Sequence, residues 1–278
     1  MEQIRWPRTD GVDRAQPGVV VALIALAALA WLVTSERMAG MDEGPGTDPG
    51  PLGLYLSIWV VMTVAMMLPS AVPMVAVYSA VESRKRELRR GRLRAGPAAF
   101  AGGYLLVWIG FGIVAYALSE LLIRLDADAL SWSRGGRYVA AGVVAAAAVY
   151  QLTPIKDVCL ARCRSPLAFV VGSWRGGRLG ATQMGIEHGA WCVCCCWALM
   201  ATLFALGVMS IVWMAVIAAV VALERLSHWA VTGRGVALLL LVLALGVALV
   251  PGEVPGLTIP GDSEMRSMDG AAASSMHH

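Results

Sequence analysis

Long stretches without a single charged side chain set the limits on what this chain can become. Pro17–Ser35, Gly53–Val81, Pro97–Ser119, Met209–Leu223 and Gly235–Val250 contain no Asp, Glu, Lys or Arg. Two further apolar stretches, Arg137–Ile155 and Gly180–Leu206, carry one each. Uncharged runs of roughly 18 residues or more are long enough to cross a bilayer as helices. Across the 278 residues, 58% are hydrophobic and 15% are charged, where a soluble chain carries about a quarter charged. A soluble enzyme, a secreted disulfide scaffold and a disordered tail protein are thereby excluded. The sequence predicts an all-α, polytopic transmembrane helical bundle of about seven spans. Residues 1–35 form a tail and first span, 53–226 a core membrane domain, 227–250 the last span, and 251–278 a disordered tail. The first span is followed at once by Glu36 and Arg37, without a small-residue cleavage pattern, and reads as a retained helix. The tight turn near Gly207 predicts that the last two spans form a hairpin with the fifth. The core is expected from spans two, four and five, with six as hairpin partner.

Charge distribution orients the bundle. Arg84, Lys85, Arg86, Arg89, Arg90, Arg92 and Arg94 form one basic loop, and Lys156, Arg162, Arg164, Arg175 and Arg178 a second. Asp42, Glu43, Asp48, Glu120, Asp126 and Asp128 lie in the opposite loops. Basic loops stay cytoplasmic, which predicts a multi-pass cell-membrane protein with its N-terminus inside and its C-terminus outside. With a net charge of +3, the basic residues serve topology and contact with anionic lipid heads, and no nucleic-acid partner is expected. The bilayer is the first partner; a homo-oligomer is left open. Pro166–Gly172 is too short to span and is expected to re-enter the membrane edge or lie along it. The tail ends in Met265, Met268, Met276, His277 and His278, a weak metal-capturing pattern that disorder explains better.

The six cysteines lie away from the outer loops, where disulfides would be expected, so they read as thiols. Thiols are soft ligands for copper(I), zinc or iron–sulfur centres. Cys159 and Cys163 end the fourth span, while Cys192, Cys194, Cys195 and Cys196 crowd the fifth. Residues three, four and seven apart share a helical face, which aligns His188, Cys192 and Cys195, flanked by Met184 and Cys196; Cys194 falls off that face. Gly185 and Gly189 would let a neighbouring helix approach there. A lone cysteine is usually a small hydrophobe, but a histidine among clustered cysteines inside a membrane points to a metal or redox site. Glu187 faces elsewhere, toward an Arg or Lys partner, and Glu224–Arg225 reads as an interfacial anchor or ion pair. In the second span Met62 and Met66, four apart, offer thioethers, with Met67 and Met74 seven apart on an adjoining face. Pro69 and Pro73 remove helical hydrogen bonds and predict kinks with spare carbonyls. Methionine also simply fills irregular core space, so this stripe matters only if it packs against the helix holding His188. Tyr150, Gln151, Thr153, Pro154 and Lys156 read either as a vestibule orienting a ligand or as ordinary snorkelling.

The segments Met62–Tyr78, Tyr150–Pro166 and His188–Met200, with Gly207–Met214 and Glu224, resemble a membrane family known as domain of unknown function 2182. Its members are described as predicted metal-binding integral membrane proteins. The resemblance runs from about Trp59 to Arg225, and its three blocks together are specific; Cys194 stands where the family pattern has Gly. It implies a multi-helix membrane protein with a metal site and no established activity. Together with the residues, it supports a protein that handles a soft metal, copper(I) ahead of zinc, by transport, delivery or insertion. The expected ligands are His188, Cys192, Cys195 and Cys196. Met62, Met66 and Met67 form an outer relay, and Cys159 and Cys163 a cytoplasmic transfer point. A metal donor or acceptor protein is the expected partner, and an enzyme is the less favoured class. The alternatives are a membrane thiol or metal redox enzyme, for which adjacent Cys195 and Cys196 are geometrically poor disulfide partners, and a non-catalytic assembly factor for a membrane metalloprotein.

Overall fold

A computed structural model describes residues 17–38, 50–89, 96–125, 135–207, 210–227, 230–254 and 257. The acidic residues Asp42, Glu43, Asp48, Asp126 and Asp128 lie outside the described residues, as do Arg90, Arg92, Arg94 and the Met/His tail. Among the described residues there are helices and no strands. The helices are α1 (Pro17–Met38), α2 (Leu52–Arg89), α3 (Gly96–Leu125), α4 (Arg137–Gln151), α5 (Pro154–Arg164), α6 (Pro166–Gly172), α7 (Gly177–Leu206), α8 (Ile211–Leu226) and α9 (Ala230–Leu249). Five of them, α1, α2, α3, α7 and α9, are long and apolar enough to cross a membrane; α4 with α5 makes six if that bent pair is one span. The sixteen residues of α8 rise about 24 Å, short of a hydrocarbon core of about 30 Å.

The break between α4 and α5 is written locally. Pro154 has no N–H to continue the ladder of α4, and Thr153 caps α5 by accepting the Lys156 N–H at 3.4 Å. The chain turns by 68° at this point. Pro166 then opens α6, and this short helix buries Phe169 and Val170 against Met74, Tyr78, Phe100 and Met184. By contrast α2 runs through Pro69 and Pro73 as one helix.

In lipid, helices associate through close packing rather than hydrophobic sequestration, and small residues set the seams. The most extensive seam joins α3 to α7. Gly103 sits against the Thr182 carbonyl and Gly185 against the Phe100 carbonyl, while a Cβ on Gly189 would meet the Val107 side chain at 3.0 Å. This adds α3 to the expected core: the helix that approaches Gly185 and Gly189 is the third span, omitted from the core expected above. The next seam sets Ala140, Ala141, Val144 and Ala147 of α4 against α9, which supplies Val236, Leu240 and Ala244. The hairpin expectation therefore needs correcting, because the last span leans chiefly on α4 rather than on α8. Outward faces carry Leu238, Leu239, Leu241, Val242 and Leu245 of α9 and Leu106, Ile113 and Val114 of α3, apolar surface of the kind that suits a lipid environment.

Candidate metal centre

Half-way along α7, sulfur is concentrated. Cys192, Cys195 and Cys196 are buried, because positions three and four apart face the same interior, here toward α5 and the packed face of α3. Cys163 of α5 joins them. The sulfurs form a chain: Cys163 to Cys195 3.9 Å, Cys195 to Cys196 3.6 Å, and Cys196 to Cys192 3.8 Å. Cys192 ends the chain between two polar groups: the Tyr104 hydroxyl at 3.1 Å and an Arg225 N–H donating from 2.7 Å. Arg225 also donates to the Ser70 carbonyl at 2.9 Å, and the Tyr104 hydroxyl to the Met67 carbonyl at 3.3 Å. Both carbonyls belong to the proline-bearing stretch of α2, so α2 is tied to this sulfur through Tyr104 and Arg225.

His188 lies one turn before Cys192 and is 1% exposed. Its ring is enclosed by Tyr104, Phe169 and Phe100, with centroids at 5.6, 5.7 and 6.1 Å. Neither ring nitrogen has a hydrogen-bond partner. A buried imidazole with both nitrogens unsatisfied is costly and fits a group kept for a ligand. Met62, Met66 and Met67 are buried in the same apolar cluster as Cys163, Cys192, Cys195 and Cys196, whereas Met74 and Met184 pack in the neighbouring cluster beneath α6. The methionine helix and the cysteine helix therefore share one core.

The expected cytoplasmic pair comes apart. Cys159 forms a disulfide with Cys194, their Cα atoms 5.9 Å apart, so Cys159 is not a free thiol and the off-face Cys194 is its partner. Both residues sit where α5 crosses α7, and their side chains point at one another across that crossing. Cys163, one turn later, belongs to the sulfur chain instead. The two charges closing α8 also separate. Glu224 is bound by Lys156 at 2.7 Å with both groups buried, and its backbone carbonyl accepts from Arg164 at 2.8 Å. Lys156 also donates to Gln151, so it is a buried partner and does not snorkel. Tyr150 donates to the Cys194 carbonyl at 2.6 Å. Glu187 pairs with Arg175 at 3.8 Å, off the sulfur face as expected.

Arg225 and Tyr104 are the site residues that sequence reasoning missed. A cation closing an otherwise apolar helix was a signal, since membrane charges usually face the bundle interior; Tyr104 had none. Among the described residues, no three His, Cys, Asp or Glu donors form a group able to hold a metal by themselves. The donors are arranged as successive pairs. A cleft of about 570 Å³, lined by Gly18, Val75, Ser79, Glu82 and Pro97 among others, opens elsewhere, between α1, α2 and α3.

A family model described as "PpoB2: Copper chaperone" matches residues 56–248. The chain belongs to this family. The PpoB2 match runs from α2 into α9 and includes the whole sulfur chain, His188, Tyr104 and Arg225. The relation to copper thus holds, although the match does not stand under the name domain of unknown function 2182. No curated protein and no solved structure matches the chain.

Proposed function

We propose that this protein holds copper(I) within the membrane on cysteine sulfur and passes it to an acceptor protein, acting as a chaperone and not as an enzyme. The sulfur chain from Cys163 to Cys192 carries this reading. A metal–thiolate bond is about 2.3 Å long, so neighbouring sulfurs 3.6–3.9 Å apart are close enough for one ion to touch both. Pairs of soft donors suit copper(I), whereas a structural zinc site calls for four converging ligands. Along such a chain the ion moves by exchanging one sulfur at a time and never stands free in the low-dielectric interior. His188, one turn from Cys192 with two unsatisfied nitrogens, supplies a nitrogen donor on the same stripe. Met62, Met66 and Met67, in the same core, supply a thioether lining. The family description of copper chaperone supports the cargo and the role.

The test is metal content. The detergent-purified full chain, loaded with copper(I) without oxygen and desalted, is expected to retain copper by mass spectrometry. Cys192→Ser, Cys195→Ser and His188→Ala are each expected to lower the retained amount severalfold. Copper near zero in the parent protein as well as the variants would refute the reading.

A second reading is a thiol redox function, favoured by the Cys159–Cys194 disulfide beside the Cys163–Cys195 thiol pair. It predicts alkylation mass shifts that cycle between oxidant and reductant without any metal.

A further inference from the structure

The cation already seated on the sulfur chain has no assigned role. Arg225 directs one N–H to Cys192 Sγ at 2.7 Å and another to the Ser70 carbonyl at 2.9 Å, leaving its Nε without a partner. Its neighbour Glu224 is engaged by Lys156 on the other side, so that carboxylate does not neutralise Arg225. A guanidinium is permanently charged and more weakly hydrated than an ammonium, which suits it to desolvated ion pairs. The sulfur that binds a metal is the thiolate, and a lone buried anion is strongly unfavourable unless a cation accompanies it.

From this we infer that Arg225 is a built-in stand-in for the cargo: its guanidinium occupies the Cys192 end of the sulfur chain when copper(I) is absent and retakes that sulfur as the ion leaves. Both cations carry a single positive charge, so either one can balance the Cys192 thiolate. Without the guanidinium, departing copper would strand an unpaired anion among Met67, Tyr104 and Cys196 in the bundle interior. Arg225 therefore lowers the barrier to release and makes the ion transferable. The remaining contact to Ser70 holds the side chain close by while the metal occupies Cys192. Arg225 is a positioning residue and not a ligand, since guanidinium has no lone pair to offer. The inference rests on the copper reading above and adds to it the means of release.

The experiment loads the full chain with copper(I) and follows its transfer to an excess of a soluble, coloured copper(I) chelator. Arg225→Met is expected to slow release about tenfold or more, since a hydrogen bond to a charged group is lost from the released state. Arg225→Lys is expected to fall between, because an ammonium lacks the planar fork that spans Ser70 and Cys192. In a Cys192→Ser background the Arg225→Met effect is expected to vanish. A role in shaping the site alone would have the opposite sign, with weaker binding and faster release. If Arg225→Met fails to fold by circular dichroism, Arg225→Lys against the parent decides: slower release supports the inference, and equal or faster release overturns it. Equal or faster release by a folded Arg225→Met overturns it too, while leaving the copper reading intact. Failure of the parent chain to bind copper(I) at all would remove both.

Discussion

His188 shows how a single side chain can be stable in function and costly in structure. An imidazole 1% exposed inside three aromatic rings, with both nitrogens unpaired, forfeits roughly 1–3 kcal/mol of hydrogen bonding. His188→Phe is therefore expected to raise the melting temperature of the metal-free protein while lowering its copper content. A fall in both would show that the ring is structural. Lys156 and Glu224 obey the opposite rule. Their ion pair is buried on both sides, and removing one partner leaves an uncompensated charge, so Lys156→Met is expected to destabilise the fold by about 3 kcal/mol. The double variant Lys156→Met with Glu224→Gln is expected to recover much of that loss in thermal denaturation.

At the scale of elements, the crossing of α3 and α7 holds Tyr104 against Cys192 and His188. Gly185 faces the Phe100 carbonyl so closely that any side chain must push the helices apart. Gly185→Val is expected to cost about 2 kcal/mol or more and to lose copper along with stability. Gly102, one residue from the seam, has open space around it, and Gly102→Ala is expected to be neutral or slightly stabilising. The glycines at 185 and 189 were readable as a point of close approach, because small residues four apart on a membrane helix mark one. Which helix would approach was not readable, since α2, α3 and α4 all offer small residues. The fourth span was expected to run unbroken to Ile155, and the redirection at Pro154, signalled by a proline after a capping threonine, was missed. The 68° turn that carries Cys163 to α7 depends on what α5 then packs against.

For the whole molecule, the number of crossings decides on which side of the membrane the two termini lie. Five helices pass by length, and α4 with α5 makes a sixth if that bent pair is one span. If α8 accompanies α9, either as a crossing or as a hairpin returning to its own side, the total is odd. A reporter fused after His278 is then expected to act outside the cell, with one fused before Met1 acting inside. Both reporters on one side would mean that α9 crosses without α8 or that the bent α4–α5 pair does not cross, and the proposed orientation would fail.

The helical membrane class, the apolar spans and the stripe of His188, Cys192 and Cys195 were all settled by the order of residues. Charge is excluded from lipid, and helical periodicity fixes which neighbours share a face, both of which are local properties of a chain. The partners of that stripe were decided only by folding. Cys163 rather than Cys159 reaches the free thiols, Cys194 finds Cys159, and Arg225 turns inward to Cys192 while the adjoining Glu224 turns to Lys156. Such pairings join residues tens of positions apart on helices whose relative rotation depends on the packing of every other helix, so no local pattern encodes them.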